Sequence, residues 1–179
     1  MRLAVVAGIV AVVVAIAVVS IILLIPRGPS VREFTLDMLD FSFIQGQNEN
    51  PTLRVKVGDT VVIRFTNKGS VTHEFMLLEN ADAVVKMIED VIKDLKARNV
   101  PEDEAIEQYE DKVHEMEESG IIKIAFEGAD ADVEPGESTT IRFTATRPGV
   151  FTYVCLEVEG TYPATHYHRG MHGQIIVEK

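Results

Sequence analysis

The stretch Ser138–Cys155, "STTIRFTATRPGVFTYVC", decides the fold. In its first half Ile141 and Phe143 alternate with Thr140, Arg142 and Thr144. In its second half Phe151, Tyr153 and Cys155 share one side of a second alternating run. A period of two is that of a strand buried on one face, and the intervening "TRPG" is a turn signal. The pair reads as two consecutive short strands, the second delivering the chain's one cysteine to its end.

The same rhythm continues outward. Leu53, Val55 and Val57 alternate with Arg54 and Lys56; after a Gly58-Asp59 turn, Val61, Ile63 and Phe65 face away from Arg64. In "VTHEFML" the alternation puts Val71, His73 and Phe75 on one side and Thr72, Glu74 and Met76 on the other. "EFTLDMLDF" (33–41) and "GQIIVEK" (173–179) supply further strands. Several short strands at this spacing predict an all-β Greek-key sandwich rather than a parallel α/β sheet.

From Asn80 to Gly120 the period changes. Val84, Ile88, Val91 and Leu95, then Ile106, Tyr109, Val113 and Met116, recur at three or four residues. Asn80 is placed to cap the first helix, Pro101 and an acidic first turn to open the second, and Gly120 to close it. An αα-hairpin inserted at about 80–120 is predicted. Residues 79–118 carry 14 acidic and 5 basic side chains, the pattern of a solvated acidic face over an apolar stripe. His114, among glutamates, reads as a surface histidine.

Residues 3–26 hold no charged side chain. A helix of that length reaches about 36 Å against roughly 30 Å of bilayer hydrocarbon, whereas a signal peptide's apolar region is about 7–15 residues. The expected organisation is therefore a transmembrane anchor over 1–26, a linker over 27–30 with its prolines and glycine, and a domain over 31–179. All 28 Asp and Glu lie beyond residue 30, with 15 of the 17 Lys and Arg, so that part carries −13. This sign excludes a nucleic-acid partner and can steer a basic protein. One cysteine allows no internal disulfide.

Cys155 precedes a run holding His166, His168, Met171 and His172, and His73 shares a strand face with Phe75. Thiolate, imidazole and thioether are ligands for soft or borderline transition metals. Singly, a buried histidine or cysteine is ordinary core material; together they raise the question of which of them meet at one ion.

"VKVGDTVVIRFTNKGSVTHEF" (55–75), then "VEPGESTTIRFTATRPGVFTYVC" (133–155), then a His, a Met and a Gly before a last strand, resembles the cupredoxins, the type 1 or blue copper proteins such as plastocyanin, auracyanin and sulfocyanin. The resemblance covers roughly residues 50–78 and 121–179. It implies one copper held by His73, Cys155, His166 and Met171, with His168 the alternative second histidine and His172 and Glu74 further alternatives. The segment between Cys155 and His166 is longer than in plastocyanin and resembles that of copper-containing nitrite reductases. Glu74 stands where plastocyanin and those reductases have an asparagine that ties the two ligand loops together. In the family, residues placed like Tyr162, Pro163 and Tyr167 form an apolar rim where a partner docks.

A His₂Cys plane with a weak axial methionine serves both oxidation states of copper. The resemblance therefore implies a one-electron carrier rather than an enzyme, working on the extracytoplasmic side of a membrane between redox proteins such as a basic cytochrome or a respiratory complex. A nitrite reductase needs a second such domain and further histidines, and a binuclear oxidase centre needs two cysteines. A copper-binding or copper-tolerance protein with copper as cargo, or an accessory subunit of a respiratory oxidase, remains the alternative.

Overall fold

The structure, a computed structural model, describes residues 28–158 and 165–179. The anchor expected over 1–26 lies outside the described residues, and among the described ones no helix is long and apolar enough to cross a membrane. Along the chain run β1 (Val31–Leu39), β2 (Ser42–Gln45), β3 (Asn48–Glu49), β4 (Thr52–Lys56), β5 (Thr60–Asn67), β6 (His73–Leu78), α1 (Ala81–Ala97), α2 (Glu102–Glu118), β7 (Asp130–Val133), β8 (Ser138–Thr144), β9 (Gly149–Val154) and β10 (His172–Glu178). A 3₁₀ turn, Tyr167–Arg169, precedes β10.

The strands form two five-stranded sheets, ordered β3-β2-β1-β5-β8 and β4-β10-β9-β6-β7. The quoted stretch does form two strands, but it splits them between the sheets: β8 is an edge of the first and β9 the centre of the second. Its "TRPG" connection is thus a corner between layers and not a hairpin. β1 with β5 and β4 with β10 pair in parallel, the remaining pairs being antiparallel. This is the all-β sandwich that the alternation predicts, with the two inserted helices that the change of period predicts.

Between the sheets Leu36, Met38, Ile63 and Phe65 face Phe75, Leu77, Phe151, Tyr153 and Ile175. Phe75 sits at the centre, its ring centroid 4.8 Å from Phe65, 5.2 Å from Tyr153 and 5.8 Å from Phe43. Val57, expected on this face, lies past the end of β4 and is exposed. There the chain turns through Gly58, at φ +89, which presents Asp59 to the start of the domain. The Asp59 carboxylate accepts from Ser30 N and Oγ, Lys56 N and Arg32 Nε, fixing the entry of β1 beside β5.

The run Phe75-Met76-Leu77-Leu78 is apolar at every position because β6 is covered on both faces. Phe75 and Leu77 face the other sheet, while Met76 and Leu78, with Val154 and Leu156, face the helices. Val84, Ile88, Ile92 and Leu95 of α1 and Tyr109 and Met116 of α2 complete this second core. Ile92 replaces Val91 as the fully buried residue, a small rotation of the expected stripe. Asn80 opens α1 through its backbone carbonyl alone, with no side-chain bond. Gly120, at φ +72, closes α2 as expected: Gly120 N–H donates to Glu117 O and Ile121 N–H to Met116 O, the Schellman arrangement. Asn99, at φ +53, does the same for α1.

Phe75→Ala removes the ring that links three aromatic neighbours, and large-to-small changes at such positions cost about 3–5 kcal/mol. Urea unfolding of the variant is expected to show that loss as a lowered midpoint with an unchanged slope.

Candidate metal centre

β6 and β9 are antiparallel neighbours, so the first residue of one and the residue following the other lie at the same end of the second sheet. His73 opens β6 and Cys155 follows β9. The chain returns to this end in a tight loop, where His166 N–H donates to Glu157 O and Tyr167 N–H to Cys155 O. His166 O accepts from Arg169 and Met171 N–H, Gly170 turns at φ +109, and Cys155 N–H donates to Met171 O at 3.2 Å. Met171 is fully buried in the same core as Cys155, Phe75 and Tyr153.

The side chains converge. His73 Nδ1 lies 3.2 Å from His166 Nδ1, and Cys155 Sγ lies 3.3 Å from that same nitrogen. One donor atom from each of His73, Cys155 and His166 falls within 4.8 Å of the other two, and all three residues are buried. A trigonal ion with nitrogen at about 2.0 Å and sulfur at about 2.3 Å holds its donors roughly 3.5–3.7 Å apart. The contacts are slightly tighter than that, as expected of groups sharing protons. His166 Nδ1 has a single lone pair, yet an imidazole and a thiol both address it. A cation at their centre satisfies all three at once. The donor set of two imidazoles and one sulfur fits a single copper.

Burial acts in opposite directions on the two kinds of donor. Burial pushes the Cys155 thiol far above its ordinary value, against the hydrogen bonds from the backbone of Glu74 and Glu157. Burial, with Arg169 close by, lowers His166 to about 4, so its ring stays neutral and its lone pair free to bind. His166 Nε2 is buried and makes no hydrogen bond among the described residues. The Phe41 ring covers it edge-on at 5.4 Å, and the Arg169 guanidinium lies 4.3 Å above Phe41.

The surrounding residues hold the donors in place. Asn67 Nδ2 donates to Val71 O and Val133 O while its Oδ1 accepts from Gly69 N, pinning the loop before His73. A Cβ at Gly69 would stand 2.8 Å from His73 Nε2, so only glycine lets the backbone pass that ring. Asn50 Nδ2 donates to Gly170 O, next to Met171. Tyr153 fills the space under Gly173 and donates its hydroxyl to Pro51 O at 2.5 Å. None of these ties was foreseen; those of Asn67 to Val133, Asn50 to Gly170 and Tyr153 to Pro51 join residues far apart in the sequence.

The alternative donors lie elsewhere. His168 Nδ1 pairs with Thr165 Oγ1 at 2.7 Å, and its Nε2 is 3.5 Å from Glu89 on α1. His172 is exposed against the Tyr167 ring. Glu74 sends its backbone N–H to Cys155 Sγ at 3.3 Å, while its carboxylate turns to the opposite face and accepts from Leu156 N at 3.4 Å. It therefore ties the two segments together. His114 is exposed beside Glu117 and Glu118. Tyr162 and Pro163 lie outside the described residues, and Tyr167 packs against the helical core.

No family model matches the chain. Among solved structures, the chain is similar to dithionite-reduced auracyanin from Roseiflexus castenholzii, at 21% identity over 86% of this chain and 100% of that one, with a TM-score of 0.49. Auracyanin A from Chloroflexus aurantiacus, a "blue" copper protein, is 22% identical over 83% and 99%, with a TM-score of 0.47. Rusticyanin from Thiobacillus ferrooxidans is 18% identical over 86% and 84%, with a TM-score of 0.48. At such distances the donor set of this chain stands on its own geometry.

Behind Cys155, Glu74, Glu157, Asp132, Glu117 and Tyr109 line a cavity of about 210 Å³. Burial, then the charges of Asp132, Glu110 and Glu134, raises Glu157 to about 7. Its folded value lies above its unfolded one, so the carboxylate costs nothing below about 4.5 and its full penalty appears above 7. Glu157→Gln is expected to stabilise the metal-free protein by about 1–2 kcal/mol at alkaline pH, after allowance for partial solvent screening. Paired urea titrations at pH 8 and pH 4.5 check this: the gain belongs to the first alone.

Proposed function

We propose that this protein is a membrane-anchored, type 1 copper protein that carries one electron at a time between redox partners. The observation that supports it is the meeting of His73 Nδ1, Cys155 Sγ and His166 Nδ1 in one buried cluster. His73, Cys155 and His166 would hold copper, with Met171 as the weak fourth ligand. Copper so bound supplies a one-electron Cu(I)/Cu(II) couple.

The protein's own contribution is to hold one arrangement for both oxidation states. Cys155 would hold the ion as a thiolate, its proton released to solvent, and would keep the Glu74 N–H on its sulfur, a bond that withdraws negative charge from the thiolate. The backbone bonds among Cys155, His166, Tyr167 and Met171 resist any change in donor spacing. Burial keeps water out of the donor set. Residues 3–26 would anchor the domain with the site on the extracytoplasmic side, and the −13 charge of the chain beyond residue 30 would draw in a basic partner, such as a cytochrome or a respiratory complex.

Copper as exchangeable cargo drew its support from the extra histidines. His168 and His172 are engaged elsewhere, and the cluster is enclosed, so retention and redox cycling suit the site better.

Loading the full-length chain with one equivalent of Cu(II) is expected to give an intense thiolate-to-copper visible band and the EPR spectrum of a single mononuclear ion. Cys155→Ser abolishes the band, His166→Ala weakens or reshapes it, and His168→Ala leaves it in place. A pale spectrum indifferent to Cys155 overturns the assignment.

A further inference from the structure

The acidic hairpin carries most of the negative charge, but its inner face has a separate relation to the site. Tyr109, midway along α2, is buried, and its hydroxyl donates to Leu156 O at 2.7 Å. Leu156 directly follows Cys155 and lies beyond the end of β9. Among the described residues no backbone N–H reaches its carbonyl, and its own N–H goes to the Glu74 carboxylate. The Leu156 side chain is seated among Val84, Ile88 and Met116 of the two helices.

The second ligand segment leans on the same hairpin. Tyr167, which donates to Cys155 O, packs against the helical core, and His168 stands 3.5 Å from Glu89 of α1. Both stretches that follow a donor, Leu156 after Cys155 and Tyr167 after His166, therefore rest on the insert.

We infer that the αα-hairpin is a clamp on the ligand loops and that Tyr109 is the positioning residue through which it acts. The contact is independent of any metal; its consequence for copper rests on the reading above. Between the two links, Tyr109 carries the weight. His168 and Glu89 are partly exposed, and such pairs contribute little. The Tyr109 hydroxyl satisfies a buried carbonyl, and removing one partner of such a pair strands the other. Phenylalanine at 109 keeps the ring's packing and deletes the bond alone. The strand that ends in Cys155 then loses its restraint just past the sulfur.

Amide hydrogen exchange on the copper-free, full-length chain tests the clamp without reference to copper. In Tyr109→Phe, exchange at Cys155, His166, Tyr167 and Met171 is expected to quicken by about tenfold, with Val62, Ile141 and Val177 unchanged, the pattern of local opening. Glu89→Gln is expected to leave all of these rates within about twofold. On loading with copper, Tyr109→Phe shifts the thiolate band and the reduction potential, and Glu89→Gln shifts neither. A uniform loss of protection makes Tyr109 a core residue and overturns the clamp, as does exchange identical to wild type. Faster local exchange in a protein whose wild type shows no thiolate band leaves the clamp standing and removes the copper reading instead.

Discussion

The site depends on the backbone hydrogen bonds of one residue. Cys155 N–H reaches Met171 O, and Cys155 O accepts from Tyr167 N–H, so the cysteine's peptide groups hold both ends of the turn that carries His166 and Met171. Its sulfur accepts from Glu74 N–H, next to His73. Two segments distant in sequence are thereby fixed against a single residue. The arrangement is possible because β9 lies between β10 and β6 in one sheet. The donors leave adjacent strands at the same end.

The two cores divide the work around that centre. The aromatic residues Phe43, Phe65, Phe75 and Tyr153 share one buried core with Cys155 and Met171, and close packing of that kind resists displacement of the donors. The helical insert covers the opposite face of β6 and β9, and so closes the side on which Glu74, Glu157 and Leu156 lie. A buried thiol and two imidazoles together offer a soft cation the donors it prefers. Burial depresses the proton affinity of His166, which leaves that ring ready for an ion, and raises that of the Cys155 thiol, whose proton an ion has to displace.

Much of this was legible in residue order. Alternation located the strands because each buries one face, and the change to a 3.6-residue period marked the insert. Gly120 announced the end of α2 because a left-handed residue is needed there. The ligand types near Cys155 were visible, and the resemblance implied His166 among them. Less legible was the two-sided burial of β6: its apolar run could not reveal that helices formed from the next forty residues fold back over it. Tyr109 read as one more apolar residue of a helical stripe, since nothing local shows where a hydroxyl will find its acceptor.

The sequence by itself determined the class of fold and the inventory of donors, because periodicity and residue chemistry are local properties. Tertiary structure alone shows which histidine stands beside Cys155. His166 and His168 differ by two positions, but the loop's hydrogen bonds point one toward Cys155 and the other toward Thr165 and Glu89. The directions taken by the groups of Glu74 are likewise tertiary. On a pleated strand its backbone N–H and its carboxylate leave in different directions, so the residue serves the sulfur with one and Leu156 with the other. Direction belongs to the assembled backbone, and no spacing along the chain encodes it.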